Sequence, residues 1–66
     1  MQLLVNGNWK ELPPPLTLAG LLEHLAMEPR RVAVELNRQL VPRARFPQTA
    51  LKDQDHLEIV TLVGGG

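Results

Sequence analysis

Four leucines constrain this chain more than any other feature. Leu18, Leu21, Leu22 and Leu25 fall at i, i+3, i+4 and i+7, which sets them in one stripe along a helix. Thr17 stands where an N-cap belongs, with a hydroxyl able to accept from a free N–H of the first turn. Pro29 is expected to end the helix. Glu23 and His24 fall off the stripe. Gly20 weakens the helix by about 1 kcal/mol relative to Ala, and its missing side chain lets a neighbouring element come close. One apolar helical stripe needs one apolar surface to cover it.

The rest of the chain reads as strands that can supply that surface. Leu3-Leu4-Val5 is a short apolar run that stops at Asn6-Gly7, a pair that tolerates positive φ and signals a hairpin. Trp9 to Leu12 is the returning strand, ended by Pro13-Pro14-Pro15, which donate no ladder hydrogen bonds. Val32, Val34 and Leu36 alternate with Ala33 and Glu35, the mark of a half-buried strand. Asn37-Arg38-Gln39 reads as a turn and Leu40-Val41 as a short strand halted by Pro42. Arg43 to Thr49 looks irregular. Lys52-Asp53-Gln54-Asp55 is a polar turn, and His56 to Val63 is the longest β-prone run.

A lone hairpin is marginal in water, so these strands need one shared sheet with the helix across it. Pairing the first strand with the last, in parallel, covers the leucine stripe. The expected class is α+β: a β-grasp with a mixed sheet of four to five strands on one main helix. The domain is expected over residues 1–63, followed by a tail at 64–66.

With 66 residues, the chain buries one thin core and has little room for a water-excluded active site. Seven Lys+Arg balance seven Asp+Glu, so the basic excess of a nucleic-acid binder is missing. Arg30, Arg31, Arg38, Arg43 and Arg45 gather in one stretch, either as a solvated face or as a docking patch for an acidic partner. The absence of cysteine excludes disulfides and thiolate chemistry, and favours a reducing cytoplasm. Met1 to Asn6 does not read as a signal peptide, and no apolar stretch is long enough for a membrane span. His24 and His56 lack partners at ligand spacing, so no metal site is expected. Asp53 and Asp55 read as turn residues rather than as part of a calcium loop. Trp9 is expected to cover part of the core, with a docking anchor as the alternative.

Gly64-Gly65-Gly66 is the main chemical signal. Three glycines cost entropy to order and pack nothing, so they cannot serve the fold. Directly after a strong final strand, they suit a slim handle that enters another protein's active site. Gly64 and Gly65 would thread and Gly66 would present its carboxylate, which is ionised at neutral pH. On the final strand, alternation sends Leu57, Ile59 and Thr61 to one face and Glu58, Val60 and Leu62 to the other. Leu57 and Ile59 are the better core candidates. Val60 and Leu62, with Val63 beside the tail, are then expected to bind partners.

Over nearly its whole length the chain resembles the ThiS family of sulfur carriers used in thiamin biosynthesis. The resemblance lies in Met1 to Gly7, in Val32 to Asn37 with Val41-Pro42-Arg43, in Lys52 to Asp55, and in Val63 to Gly66. Asn37 and Val41-Pro42-Arg43 are its most specific parts. One position departs, since the family turn usually reads Asp-Gly-Asp and here Gln54 separates the aspartates. The resemblance implies a carrier and substrate, not an enzyme, with no catalytic residue and no bound cofactor of its own. An E1-like adenylating enzyme would use ATP and Mg²⁺ to activate the Gly66 carboxylate. A cysteine desulfurase would supply sulfur as a persulfide, giving a thiocarboxylate, and thiazole synthase would accept that sulfur. The other readings are a carrier for molybdopterin or tRNA thiolation, or a ubiquitin-like binding module without tail chemistry.

Overall fold

The computed structural model describes residues 1–62; Val63, Gly64, Gly65 and Gly66, and with them the expected boundary between domain and tail, lie outside the described residues. Five strands form one sheet: β1 (Gln2–Val5), β2 (Asn8–Glu11), β3 (Val32–Leu36), β4 (Gln39–Val41) and β5 (His56–Thr61). Their order across the sheet is β2-β1-β5-β3-β4. β1 and β5 run parallel at the centre, and every other neighbouring pair is antiparallel. The β-grasp expectation holds, including the pairing of first strand with last.

Both hairpins turn in two residues with positive φ. Asn6 and Gly7 stand at φ 50 and 81, and Asn37 and Arg38 at 51 and 70. A two-residue turn of this hand matches the twist of its strands. The second turn is one residue shorter than the sequence suggests, because Gln39 belongs to β4.

The helix, α1 (Leu18–His24), starts where expected, with Thr17 Oγ1 accepting from the Gly20 N–H at 3.1 Å. It ends five residues before Pro29, which is a correction. Ala26 adopts φ 56, its N–H donates to the Glu23 carbonyl (3.0 Å), and the Met27 N–H donates to the Leu22 carbonyl (2.9 Å). This pair of bonds closes the helix in a left-handed cap that usually takes glycine. Alanine gave no sign of it. Gly20 does permit a close approach: a Cβ there would meet Leu16 Cδ1 at 3.0 Å.

Leu3, Val5, Leu57, Ile59, Val32 and Val34 point from the sheet onto Leu18, Leu21 and Leu22. The segment expected to be irregular is a second covering element. Arg43–Gln48 forms a 3₁₀ helix that buries Phe46, and Leu51 follows into the same core. The Leu18 N–H donates to the Thr49 carbonyl (2.8 Å) and the Leu51 N–H to the Leu16 carbonyl (2.9 Å), which ties this segment to the start of α1. Among the described residues no helix is long and apolar enough to cross a membrane.

Candidate functional site

The helical layer leaves the other face of the sheet open, and the register lays out what stands there. Trp9, Leu4 and His56 occupy adjacent positions across β2, β1 and β5. Glu58, Glu35 and Leu40 form the next row across β5, β3 and β4, and Val60 faces Ala33 in the row after. Leu62 follows Val60 on this side, its N–H donating to the Arg31 carbonyl at 2.7 Å. The rows therefore run from the Asn37-Arg38 turn, beside His56, to Leu62 at the far end of β5.

Burial alternates sharply along β5. Leu57 and Ile59 are 2% and 6% exposed, whereas Val60 is 59% and Leu62 44% exposed. Thr61 shares the inner side by alternation but is exposed. The two described members of the expected partner-binding set, Val60 and Leu62, thus stand on open surface. Val63, Gly64, Gly65 and Gly66 lie outside the described residues.

Two further apolar side chains share this face. Leu40, 69% exposed, stands near Leu62 beside a shallow groove formed with Ala33 and Pro42. The sequence signal for it was available in principle. A two-residue turn after Leu36 places Val41 inward beside Val34 and sends Leu40 out. Trp9 is 52% exposed on the outer face and meets the His56 ring edge-on, with centroids 6.0 Å apart. It does not cover the core, since its place opposite Leu4 turns it away from the helix. That register follows from the Asn6-Gly7 turn, which the composition of β2 alone does not reveal.

The polar candidates hold turns together. Asp53 Oδ1 accepts from the Gln2 N–H (2.6 Å), while Asp55 accepts from the Lys52 N–H (2.7 Å) and from Asn37 Nδ2 (3.0 Å). Gln54 takes φ 74 between them, so the turn keeps a left-handed residue without glycine. Arg43 Nε donates to the Pro29 carbonyl (3.0 Å) and Nη2 to the Arg30 carbonyl (3.3 Å), which gives this member of the basic stretch a bracing role. His24 and His56 are exposed.

The asparagines of the two hairpin turns act on β5, and sequence reasoning missed this. Asn37 Oδ1 accepts from the His56 N–H at 2.9 Å. Asn6 Oδ1 accepts from the Ile59 N–H (2.7 Å), and Asn6 Nδ2 donates to the Ile59 carbonyl (3.0 Å).

Comparison with known proteins places this geometry. The sequence model of the ThiS family matches residues 3–66. The chain is 41% identical over 66 residues to a thiazole synthase of Paramagnetospirillum magneticum, a similarity that takes in all of this chain but 20% of that protein. It is 30% identical to the sulfur carrier protein ThiS of Escherichia coli, over the full length of both. Among solved structures, the crystal structure of the thiamine biosynthesis protein (ThiS) from Geobacter metallireducens matches with a TM-score of 0.86 and 35% identity, covering 100% of each chain.

Proposed function

The chain belongs to the ThiS family, and from that membership we propose that it is a sulfur carrier of thiamin biosynthesis that reacts at Gly66. The observation that carries the reading is the span of the family match, which takes in both the β-grasp and Gly64-Gly65-Gly66. Its chemistry is that of a carboxylate, which cannot transfer its acyl group until it gains a leaving group. An adenylating partner, using ATP and Mg²⁺, supplies one: a Gly66 oxygen attacks the α-phosphorus and pyrophosphate departs. The acyl-adenylate carbon is then attacked by a persulfide derived from a cysteine desulfurase, and AMP departs. A thiol cleaves the resulting acyl disulfide and leaves a thiocarboxylate on Gly66.

The carrier's own residues do no catalysis in this scheme. Gly64 and Gly65 keep the end of the chain slim enough to enter a channel, because they lack Cβ atoms. Val60, Leu62 and Val63 hold the partner, as apolar groups beside a reactive end suit. The thiazole synthase of Paramagnetospirillum magneticum, which includes a stretch similar to this chain, supports thiazole synthase as the sulfur acceptor. We assign the reaction to the cytoplasm, a reducing compartment that suits a chain without cysteine and that supplies ATP to the adenylating partner.

Intact-mass measurement tests the proposal. After incubation with the adenylating enzyme, ATP and the sulfur donor, a fraction of the chains is expected to gain the mass difference between sulfur and oxygen, localised to Gly66. Persistent absence of that species with every component supplied would overturn the reading.

A further inference from the structure

β5 is gripped differently on its two sides, and the difference falls just before the exit toward Gly66. On the β3 side, pairing runs from Leu36 opposite Leu57 to Val32 opposite Thr61, and the bond from the Leu62 N–H to the Arg31 carbonyl extends it. On the β1 side, the register ends at Val5 opposite Leu57. The Asn6 N–H still donates to the Leu57 carbonyl at 2.9 Å, and then the backbone turns away through Asn6 and Gly7. At that point the Asn6 side chain replaces the departing strand. Its carboxamide offers the same C=O and N–H as a peptide group, and both bond to Ile59, at 2.7 and 3.0 Å. One rung of ladder is thereby added beyond the end of β1, next to Val60.

We propose that Asn6 is a positioning residue for the adenylation of Gly66, because its carboxamide fixes the end of β5 that carries Val60 and Leu62. The assignment rests on the sulfur-carrier reading and deepens it. Without the clamp, the last residues of β5 are held from the β3 side alone. The patch then binds its partner less well, while chemistry at the bound carboxylate is untouched. The effect belongs in KM and not in kcat.

The turn and the clamp are separable by substitution. Asn6→Gly keeps and eases the positive φ but removes the carboxamide. If conformational freedom is all that Asn6 supplies, this variant behaves like the unaltered chain. The measurement is ATP–pyrophosphate exchange with the adenylating enzyme at a temperature where circular dichroism shows the variant fully folded. We expect KM to rise roughly tenfold, equivalent to the loss of about one to two hydrogen bonds, with kcat within about twofold. Amide exchange at Ile59 is expected to accelerate selectively, since its N–H loses its acceptor. If Asn6→Gly does not fold, Asn6→Asp replaces it. That change retains the bulk and the acceptor for the Ile59 N–H but sets an oxygen against the Ile59 carbonyl, and the same rise in KM is expected. An unchanged KM in a folded variant would overturn the positioning role alone. No exchange with the unaltered chain would overturn the carrier reading, and the assignment with it.

Discussion

Gln54, Ala26 and Arg38 stand at φ 74, 56 and 70, where a side chain crowds its own carbonyl. Each costs about 1–2 kcal/mol relative to a right-handed conformation. Surrounding bonds hold two of them there: the Gln54 N–H donates to the Gln2 carbonyl at 2.7 Å, and Ala26 sits inside the cap of α1. Glycine removes the crowding and gives back part of the gain through the entropy of the unfolded chain. Gln54→Gly and Ala26→Gly are therefore each expected to stabilise by about 0.5–1 kcal/mol, read as a rise in Tm of roughly 2–8 °C. A fall in Tm for either would mean that its side chain makes a contact worth more than the strain. These positions also explain a limit of sequence reading. Asn6-Gly7 announces a turn because both residues are at ease there, whereas Ala26 takes its conformation inside the cap of α1 and Arg38 inside a two-residue hairpin turn, and neither residue type signals it.

At the scale of elements, the strands and the start of the helix were legible and the second covering segment was not. Alternation identified Val32, Val34, Leu57 and Ile59 as inward, and the leucine stripe identified Leu18, Leu21 and Leu22. Arg43–Gln48 has too few residues and too little period to announce itself, yet it places Phe46 at 2% exposure. Phe46→Ala is expected to cost about 3–5 kcal/mol, a large share of the stability of so small a domain. Urea denaturation measures it, and a loss below about 1 kcal/mol would show that the segment merely lies on the core. β5 supports a paired prediction. Val60→Asp and Leu62→Asp are expected to leave the domain folded and to weaken binding to the adenylating enzyme and to thiazole synthase by about 1–3 kcal/mol each. Ile59→Asp is expected to unfold it by burying an unpaired charge. Calorimetric titration and circular dichroism read the two effects, and unchanged binding in the folded variants would remove the docking role of this face.

In the molecule as a whole, stability and chemistry occupy different places. Among the described residues the buried core runs from Leu3 to Ile59, while the proposed reaction is at Gly66. One residue appended after Gly66 is therefore expected to change stability by less than about 0.5 kcal/mol and to abolish adenylation. Retained adenylation would show that the partner reads the folded face and not the free end. Of the candidate site, the outward placement of Val60 and Leu62 was legible in the sequence from the alternation of β5. Leu40 and Trp9 join the same face only through the register of the hairpins, which no single segment encodes. The parallel pairing of β1 with β5 has a consequence for the order of synthesis. β5 is translated last of the five strands but lies third across the sheet. Until it leaves the ribosome, the β1–β2 hairpin and the β3–β4 hairpin have no common partner, and contacts so distant along the chain close slowly. A nascent chain stalled before His56 lacks Leu57 and Ile59, the part of the core contributed by the strand that links the hairpins. The two hairpins are thus joined into one sheet only once residues 56–61 have been made, however early each hairpin forms on its own.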